Sequence, residues 1–226
     1  MDSETMIIPM SWSQDGKTIL YNKFTGEIPG IWAISLMDRK TFAVVNTPFF
    51  EIYPQISPDG KYFAYTSNNS GKAEIYVQTF PPGGGKWQIS TNGGALPRWR
   101  HDGKELFFMD SPAGGKMLSS AIAITGSKFE FAAPRVLFNT TFVNASFGHN
   151  GPRNGYAVSA DGQRFLLPLQ TNGSTNDVVD TPTTVVHNWT RALRKYELQI
   201  PLLFKVGWRE APGWLRSNSE THLFSC

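Results

Sequence analysis

The sequence predicts an all-β protein built from four repeats of a four-stranded unit, and three observations predict it. First, a reversal motif occurs four times: Ser13-Gln14-Asp15-Gly16, Ser57-Pro58-Asp59-Gly60, Arg100-His101-Asp102-Gly103 and Ser159-Ala160-Asp161-Gly162, each followed by an apolar run. Glycine supplies the positive φ that ends such a turn, and the Asp before it tolerates the bend and can cap the turn amides. Second, the four Asp residues stand at intervals of 44, 43 and 59 residues. A period of roughly 40 to 45 residues with four strands per unit marks propeller blades, and the third interval carries an insertion. Third, aromatics make up 13% and charged residues only 17%, with 21 Gly and 15 Pro, a balance suited to short strands and tight turns. The expected fold is a β-propeller of about four blades of four antiparallel strands, in an open arc or as a fragment of a larger ring.

The elements follow in order. The first unit, about residues 7–50, offers strands at Met10 to Ser13, Thr18 to Lys23, Ile31 to Leu36 and Thr41 to Asn46. Its third strand, Ile31-Trp32-Ala33-Ile34-Ser35-Leu36, is nearly all apolar, as a sheet covered on both faces requires. The second unit, 51–94, offers Tyr53 to Ser57, Tyr62 to Ser67, Glu74 to Phe80 and Trp87 to Thr91. Between its last two strands, Pro81-Pro82-Gly83-Gly84-Gly85-Lys86 looks superficially like a phosphate loop. It lacks the Gly, four residues, Gly-Lys-Ser/Thr spacing and the following helix, so a plain hairpin loop is expected. The third unit, 95–140, offers Leu96 to His101, Glu105 to Asp110, Met117 to Ile124 and Arg135 to Phe138. An insertion from Asn139 to Asn154 follows, and its Phe142, Phe147, His149 and Arg153 are candidates for a binding loop over one end of the fold. The fourth unit, 155–195, shows only three strands, Tyr156 to Ser159, Arg164 to Leu169 and Thr183 to Trp189, with a polar linker from Thr171 to Asp180.

These segments carry a resemblance. The hairpin motif is similar to the WD40-like repeat of TolB-type β-propellers. The ordered set SPDGKYFAYTSN, EIYVQTFPPGGGKWQIST, GGALPRWRHDGKELFFMD, YAVSADGQRFLLPL and VVHNWT resembles the propeller at the C-terminal part of acidobacterial serine/threonine protein kinases. The likeness covers about residues 7 to 195. The tail 196–226 lies outside it and is expected either to add an outer strand from Leu198 to Val206 or to be poorly ordered. In the resembled kinases the propeller commonly lies beyond a membrane segment, which implies an extracytoplasmic, periplasmic setting for this part.

Composition excludes several functions. The formal charge of +3 with no basic block gives no nucleic-acid surface. The single cysteine, Cys226, allows neither an intramolecular disulfide nor a cysteine-ligated zinc site within one chain. Histidines stand at 101, 149, 187 and 222, none at the i, i+4 spacing of a zinc helix, so no metal and no cofactor is expected. No apolar run reaches the length of a membrane span, and Met1-Asp2-Ser3-Glu4-Thr5 lacks the basic and apolar regions of a signal peptide. There is no Gly-x-Ser-x-Gly nucleophile elbow, and the glycine-rich loop, His-Arg-Asp and Asp-Phe-Gly of a kinase are missing from the sequence. Catalytic residues are therefore expected to be none. The turn residues Asp15, Gly16, Asp59, Gly60, Asp102, Gly103, Asp161 and Gly162 are read as structural.

One cluster stands out as a candidate site. Arg98, Arg100 and His101 surround Trp99 on a strand that lines the central channel of a propeller. They either receive an acidic or anionic partner or pair with carboxylates such as Glu105 or Asp110, while Trp99, at the place of Trp12, packs between blades. The resemblance implies a non-catalytic module that binds a protein, peptide or small ligand, as the sensor or docking part of a receptor-like kinase. The alternatives are a substrate-gating propeller of a prolyl-peptidase-like hydrolase and a periplasmic interaction propeller of the Tol type. An arc leaves blade faces and an edge open, so self-association is also expected.

Overall fold

The computed structural model describes residues 5–26, 28–111, 115–140, 155–168 and 183–187. The chain divides into two compact units, Met1–Tyr196 and Glu197–Cys226, and the second lies wholly outside the described residues. So do the insertion candidates Phe142, Phe147, His149 and Arg153 and the linker from Thr171 to Asp180.

Among the described residues there is no helix, and sixteen strands form four antiparallel sheets in chain order. The first sheet is β1 (Met6–Trp12), β2 (Thr18–Thr25), β3 (Ile28–Ser35) and β4 (Thr41–Val45); the second is β5 (Glu51–Ile56), β6 (Tyr62–Ser67), β7 (Glu74–Thr79) and β8 (Lys86–Gln88). The third holds β9 (Ala95–Trp99), β10 (Glu105–Met109), β11 (Lys116–Thr125), β12 (Lys128–Phe131) and β13 (Arg135–Asn139), with both β12 and β13 paired to β11. The fourth has three strands, β14 (Ala157–Val158), β15 (Arg164–Pro168) and β16 (Thr183–His187). This is a β-propeller arc of four blades.

Two features differ from the sequence expectation. The long β11 folds back at Gly126, which has a φ of +61°, and its continuation pairs as β12, a fifth strand that the repeat did not foretell. The first blade's inner strand also begins earlier, at Met6. The glycine-rich stretch behaves as the hairpin loop between β7 and β8, where the Gly84 and Gly85 amides donate to Thr79 Oγ1 at 2.9 and 3.3 Å and so are engaged within the loop.

The four reversals are one structure repeated. Gly16, Gly60 and Gly103 have a φ of +72° and Gly162 of +71°. In each, an oxygen of the Asp carboxylate accepts the backbone N–H two residues later, from Lys17, Lys61, Lys104 and Gln163, at 3.0 to 3.1 Å. A serine two residues before the Asp (Ser13, Ser57 or Ser159) donates its hydroxyl to that carboxylate and accepts the N–H that opens the next strand. In the third hairpin Arg100 takes the serine's place and grips Asp102 with two N–H groups, at 2.7 and 2.8 Å.

Strand alternation decides how the blades stack. In β6, Phe63 and Tyr65 join the first blade's Leu20, Ile31 and Ala33 in one core cluster. Tyr62 and Ala64, one residue out of step, join Leu106 and Phe108 of the third blade in another. In β10, Leu106 and Phe108 look back in this way while Phe107 and Met109 meet Phe165 and Leu167 of the fourth blade. A sheet buried on both faces has no polar side, which is why these strands read as continuous apolar runs. Complete burial of a Phe or Leu side chain stabilises by about 1.5–3 kcal/mol, so the core lies between the blades.

Inner strands are fixed by a second repeated device. Tyr53 and Leu96, at matching places in β5 and β9, both have a φ of +58° and both precede a proline. A left-handed conformation costs a side-chain-bearing residue about 1–2 kcal/mol. The amide freed there is received by the preceding blade: Tyr53 N–H donates to Asn22 Oδ1 and Leu96 N–H to Thr66 Oγ1, each at 3.2 Å. The ladder slips at both places, between Ile52 and Gln55 and between Ala95 and Arg98. Such bulges re-aim the side chains that follow them, here Gln55 and Arg98.

Candidate ligand groove at the inner-strand mouth

The inner strands end at the hairpins, and there equivalent positions of all four blades converge on one open groove of about 450 Å³. Three residues before the turn Asp stand Trp12, Ile56, Trp99 and Val158; four before it stand Ser11, Gln55 and Arg98; one before it stand Gln14, Pro58, His101 and Ala160. All of them line the groove. The repeat that builds the blades therefore also builds the mouth, and the varied side chains at these positions give it its chemistry.

Hydrogen bonds across each blade junction hold the rim. Ile56 N–H donates to Ser11 Oγ and Gln55 Nε2 to the Met10 carbonyl, both at 3.0 Å, joining β5 to β1. Trp99 Nε1 donates to the Gln55 carbonyl at 3.0 Å, joining β9 to β5. Tyr156 Oη donates to the Leu96 carbonyl at 2.9 Å, joining the fourth blade to the third. Trp99 thus packs between blades, whereas Trp12, at the same place in the first blade, is 64% exposed.

The sequence candidates divide. Arg100 does not line the groove; it is engaged with Asp102 and, at 3.2 Å, with Glu105 Oε2, and Glu105 also receives Arg135. The Arg100 hydrogen bonds lead the causes that hold the Asp102 carboxyl down at about 2. Arg98 and His101 do line the groove. Pairing of Arg98 with Glu105 or Asp110 is not what forms: among the described residues no carboxylate lies within ion-pair distance of Arg98. Its Nη1 donates to the Pro97 carbonyl at 2.8 Å and its guanidinium lies 5.6 Å from the centre of the Tyr156 ring. Burial pushes the Arg98 pKa down, with Tyr156 and Tyr53 opposing it, and burial pushes the Tyr156 hydroxyl up. An arginine remains charged regardless.

Sequence reasoning missed Gln55, Trp12 as a groove residue, and Tyr156. For Gln55 and Trp12 the signal was available, since they stand at the same offsets from the turn Asp as Arg98 and Trp99. A second hollow of about 470 Å³ lies between the second and third hairpins, with Asp59, Asp102 and Lys104 on its wall. Both carboxylates there are committed to their own turns. Among the described residues no three metal-ligating side chains converge, and no helix is long and apolar enough to cross a membrane.

Antiparallel blades of three to five strands, with a mouth shaped by their inner strands, define a β-propeller. Comparison with known proteins agrees at the level of fold. The chain is similar to the Tol-Pal system protein TolB of Francisella tularensis subsp. tularensis, 29% identical over 77 residues, 33% of this chain and 18% of that protein. Among solved structures, TolB from Acinetobacter baumannii superposes with a TM-score of 0.54 at 23% identity, covering 73% of this chain and 37% of that one. An oligogalacturonate lyase in complex with manganese superposes at 0.52 with 11% identity, covering 80% and 50%. The chain thus spans about a fifth of the curated relatives it matches. No protein-family model matches it.

Proposed function

We propose that this chain is a non-catalytic propeller module that binds a protein or peptide at the inner-strand mouth. In this reading it is the sensor or docking part of a receptor-like serine/threonine kinase. The observation that carries the binding role is the convergence of equivalent positions from four blades on one groove with a rim locked by inter-blade hydrogen bonds. A rigid scaffold with variable side chains at one end suits recognition, because little ordering entropy is left to lose on binding. The kinase setting, and with it an extracytoplasmic location, is supported by the ordered segments around Ser57 to Asn68 and Gly93 to Asp110. A Tol-type interaction propeller is the second reading, favoured by the similarity to Tol-Pal system proteins. The coding sequence upstream of Met1 separates them: the kinase reading expects a His-Arg-Asp catalytic loop and a membrane span there, and a signal peptide leading directly into further blades contradicts it.

The same reading includes self-association. The first blade's outward face presents Ile7 at 55% and Trp12 at 64% exposure, beside half-buried Ile19 and Trp32. Apolar surface of this kind on a sheet edge favours contact with another chain. Light scattering on the full chain is expected to give a mass above the monomer, and a monodisperse monomer at all concentrations contradicts this.

A further inference from the structure

Resting on the reading of the mouth as a ligand site, we propose that Arg98 is the anchor for a carboxylate carried by a peptide ligand. The contrast with Arg100, two residues along the chain, is the first support. Arg100 holds two carboxylates, Asp102 and Glu105, whereas Arg98 is met by a carbonyl and an aromatic ring and by no carboxylate among the described residues. The groove around it repeats the message, since among the described residues its lining offers the Arg98 guanidinium and the His101 imidazole and no acidic side chain.

Arg98 is half-buried in the wall of the groove, and a partly desolvated guanidinium with no carboxylate partner among the described residues gains from an arriving anion. The anchor is also pre-set. Tyr156 backs the guanidinium, and its own hydroxyl is fixed by the Leu96 carbonyl, so the planar fork is held in place before a ligand arrives. A fork of parallel N–H groups matches the two oxygens of a carboxylate. The site suits a single negative charge better than a phosphate, because the nearby turn amides are taken: Gly16, Gly103 and Gly162 N–H donate to Ser13, Arg100 and Ser159 carbonyls at 2.8 to 2.9 Å. Trp12 and Gln55 on the same wall provide an exposed indole and an amide for the residues flanking the acid.

The test selects binders from a random peptide display library with the full chain as bait, then measures the Kd of the synthetic peptides by anisotropy. The proposal expects selected peptides to carry Asp, Glu or a free C-terminal carboxylate. Arg98→Gln is expected to weaken binding about tenfold or more, Arg98→Lys to restore it only in part, and neutralising the peptide's acid to cost as much, with no further loss when both changes are combined. Glu→Gln exchange and C-terminal amidation of the peptide distinguish a side-chain carboxylate from a chain end. Because the peptide-side changes use unaltered protein, they test the contact even if an Arg98 variant unfolds. If Trp12→Ala and Gln55→Ala weaken binding while Arg98→Gln and neutral peptides stay within about twofold, the mouth binds peptides and the carboxylate anchor is wrong. Preference for phosphopeptides over the acidic ones also overturns it. If no substitution at the mouth alters binding, the reading of the mouth itself fails.

Discussion

The second blade and the first are built from corresponding residues, yet they live in different surroundings. Phe63, Tyr65 and Tyr76 of the second blade are 0%, 0% and 4% exposed, pressed against the first. Their counterparts Ile19, Tyr21 and Trp32 face the other way from the first blade, where two of the three are only half-buried. Likewise Trp99 is tied to the Gln55 carbonyl while Trp12 is 64% exposed. What the difference teaches is that a blade's stability is supplied by its neighbours. The same position is core or surface according to whether a sheet lies before it, as in other repeat proteins where interface energies add along the array.

The largest expected effect sharpens this contrast directly. Phe63→Ala should cost about 3–5 kcal/mol in denaturant unfolding, because it opens a cavity between two sheets that cannot collapse together. Ile19→Ala should cost clearly less, and equal losses would erase the distinction between the two faces.

The hairpins give the next effect. Gly60→Ala meets no atom within 4 Å, so its cost is the backbone alone, about 1–2 kcal/mol for a side chain held at positive φ. At Gly162 the same methyl would lie 2.8 Å from Arg100 Cδ and 3.1 Å from Phe107 Cζ, across a blade junction. Gly162→Ala should therefore lower the melting temperature more than Gly60→Ala, and the reverse order would place the fourth blade elsewhere.

Smaller again is the indole pair. Trp99→Phe removes one inter-blade hydrogen bond, at about 0.5–1.5 kcal/mol, while Trp12→Phe should stay within about 0.5 kcal/mol of wild type. The smallest effect is electrostatic. Hydrogen bonds from Arg100 hold the Asp102 pKa down at about 2 in the folded protein. Its carboxylate therefore stabilises above the ordinary Asp range near pH 4, and this contribution is lost as pH falls toward about 2. Asp102→Asn should flatten the stability profile between those limits and leave its slope at neutral pH unchanged.

Much of the fold could be read in the residues, for physical reasons. The turn at Asp59-Gly60 depends only on local chemistry, and every copy of it folds as expected with φ near +72°. The near-continuous apolar strands announced sheets covered on both sides. What was not legible depends on relations between blades. The β12 hairpin at Gly126 replaces nothing in the repeat, and its short Lys128–Phe131 alternation is a weak signal alone. The left-handed Tyr53 and Leu96 are held by Asn22 and Thr66 some thirty residues away, a pairing that no local propensity encodes. For the groove, the chain showed Arg98 and His101 but could not tell that Arg100, which stands between them, would turn into its own hairpin to grip Asp102.

The central claim is that successive repeats stack face to face, with alternate residues of a strand committed to opposite neighbours. A double-mutant cycle tests it most directly. Leu20→Ala combined with Phe63→Ala should show a coupling of about 0.5 kcal/mol or more, because both side chains belong to the cluster between the first and second blades. Leu20→Ala with Ile75→Ala, whose side chain belongs to the next junction, should be additive. Additivity in the first pair and coupling in the second would contradict the stacking of the blades described here.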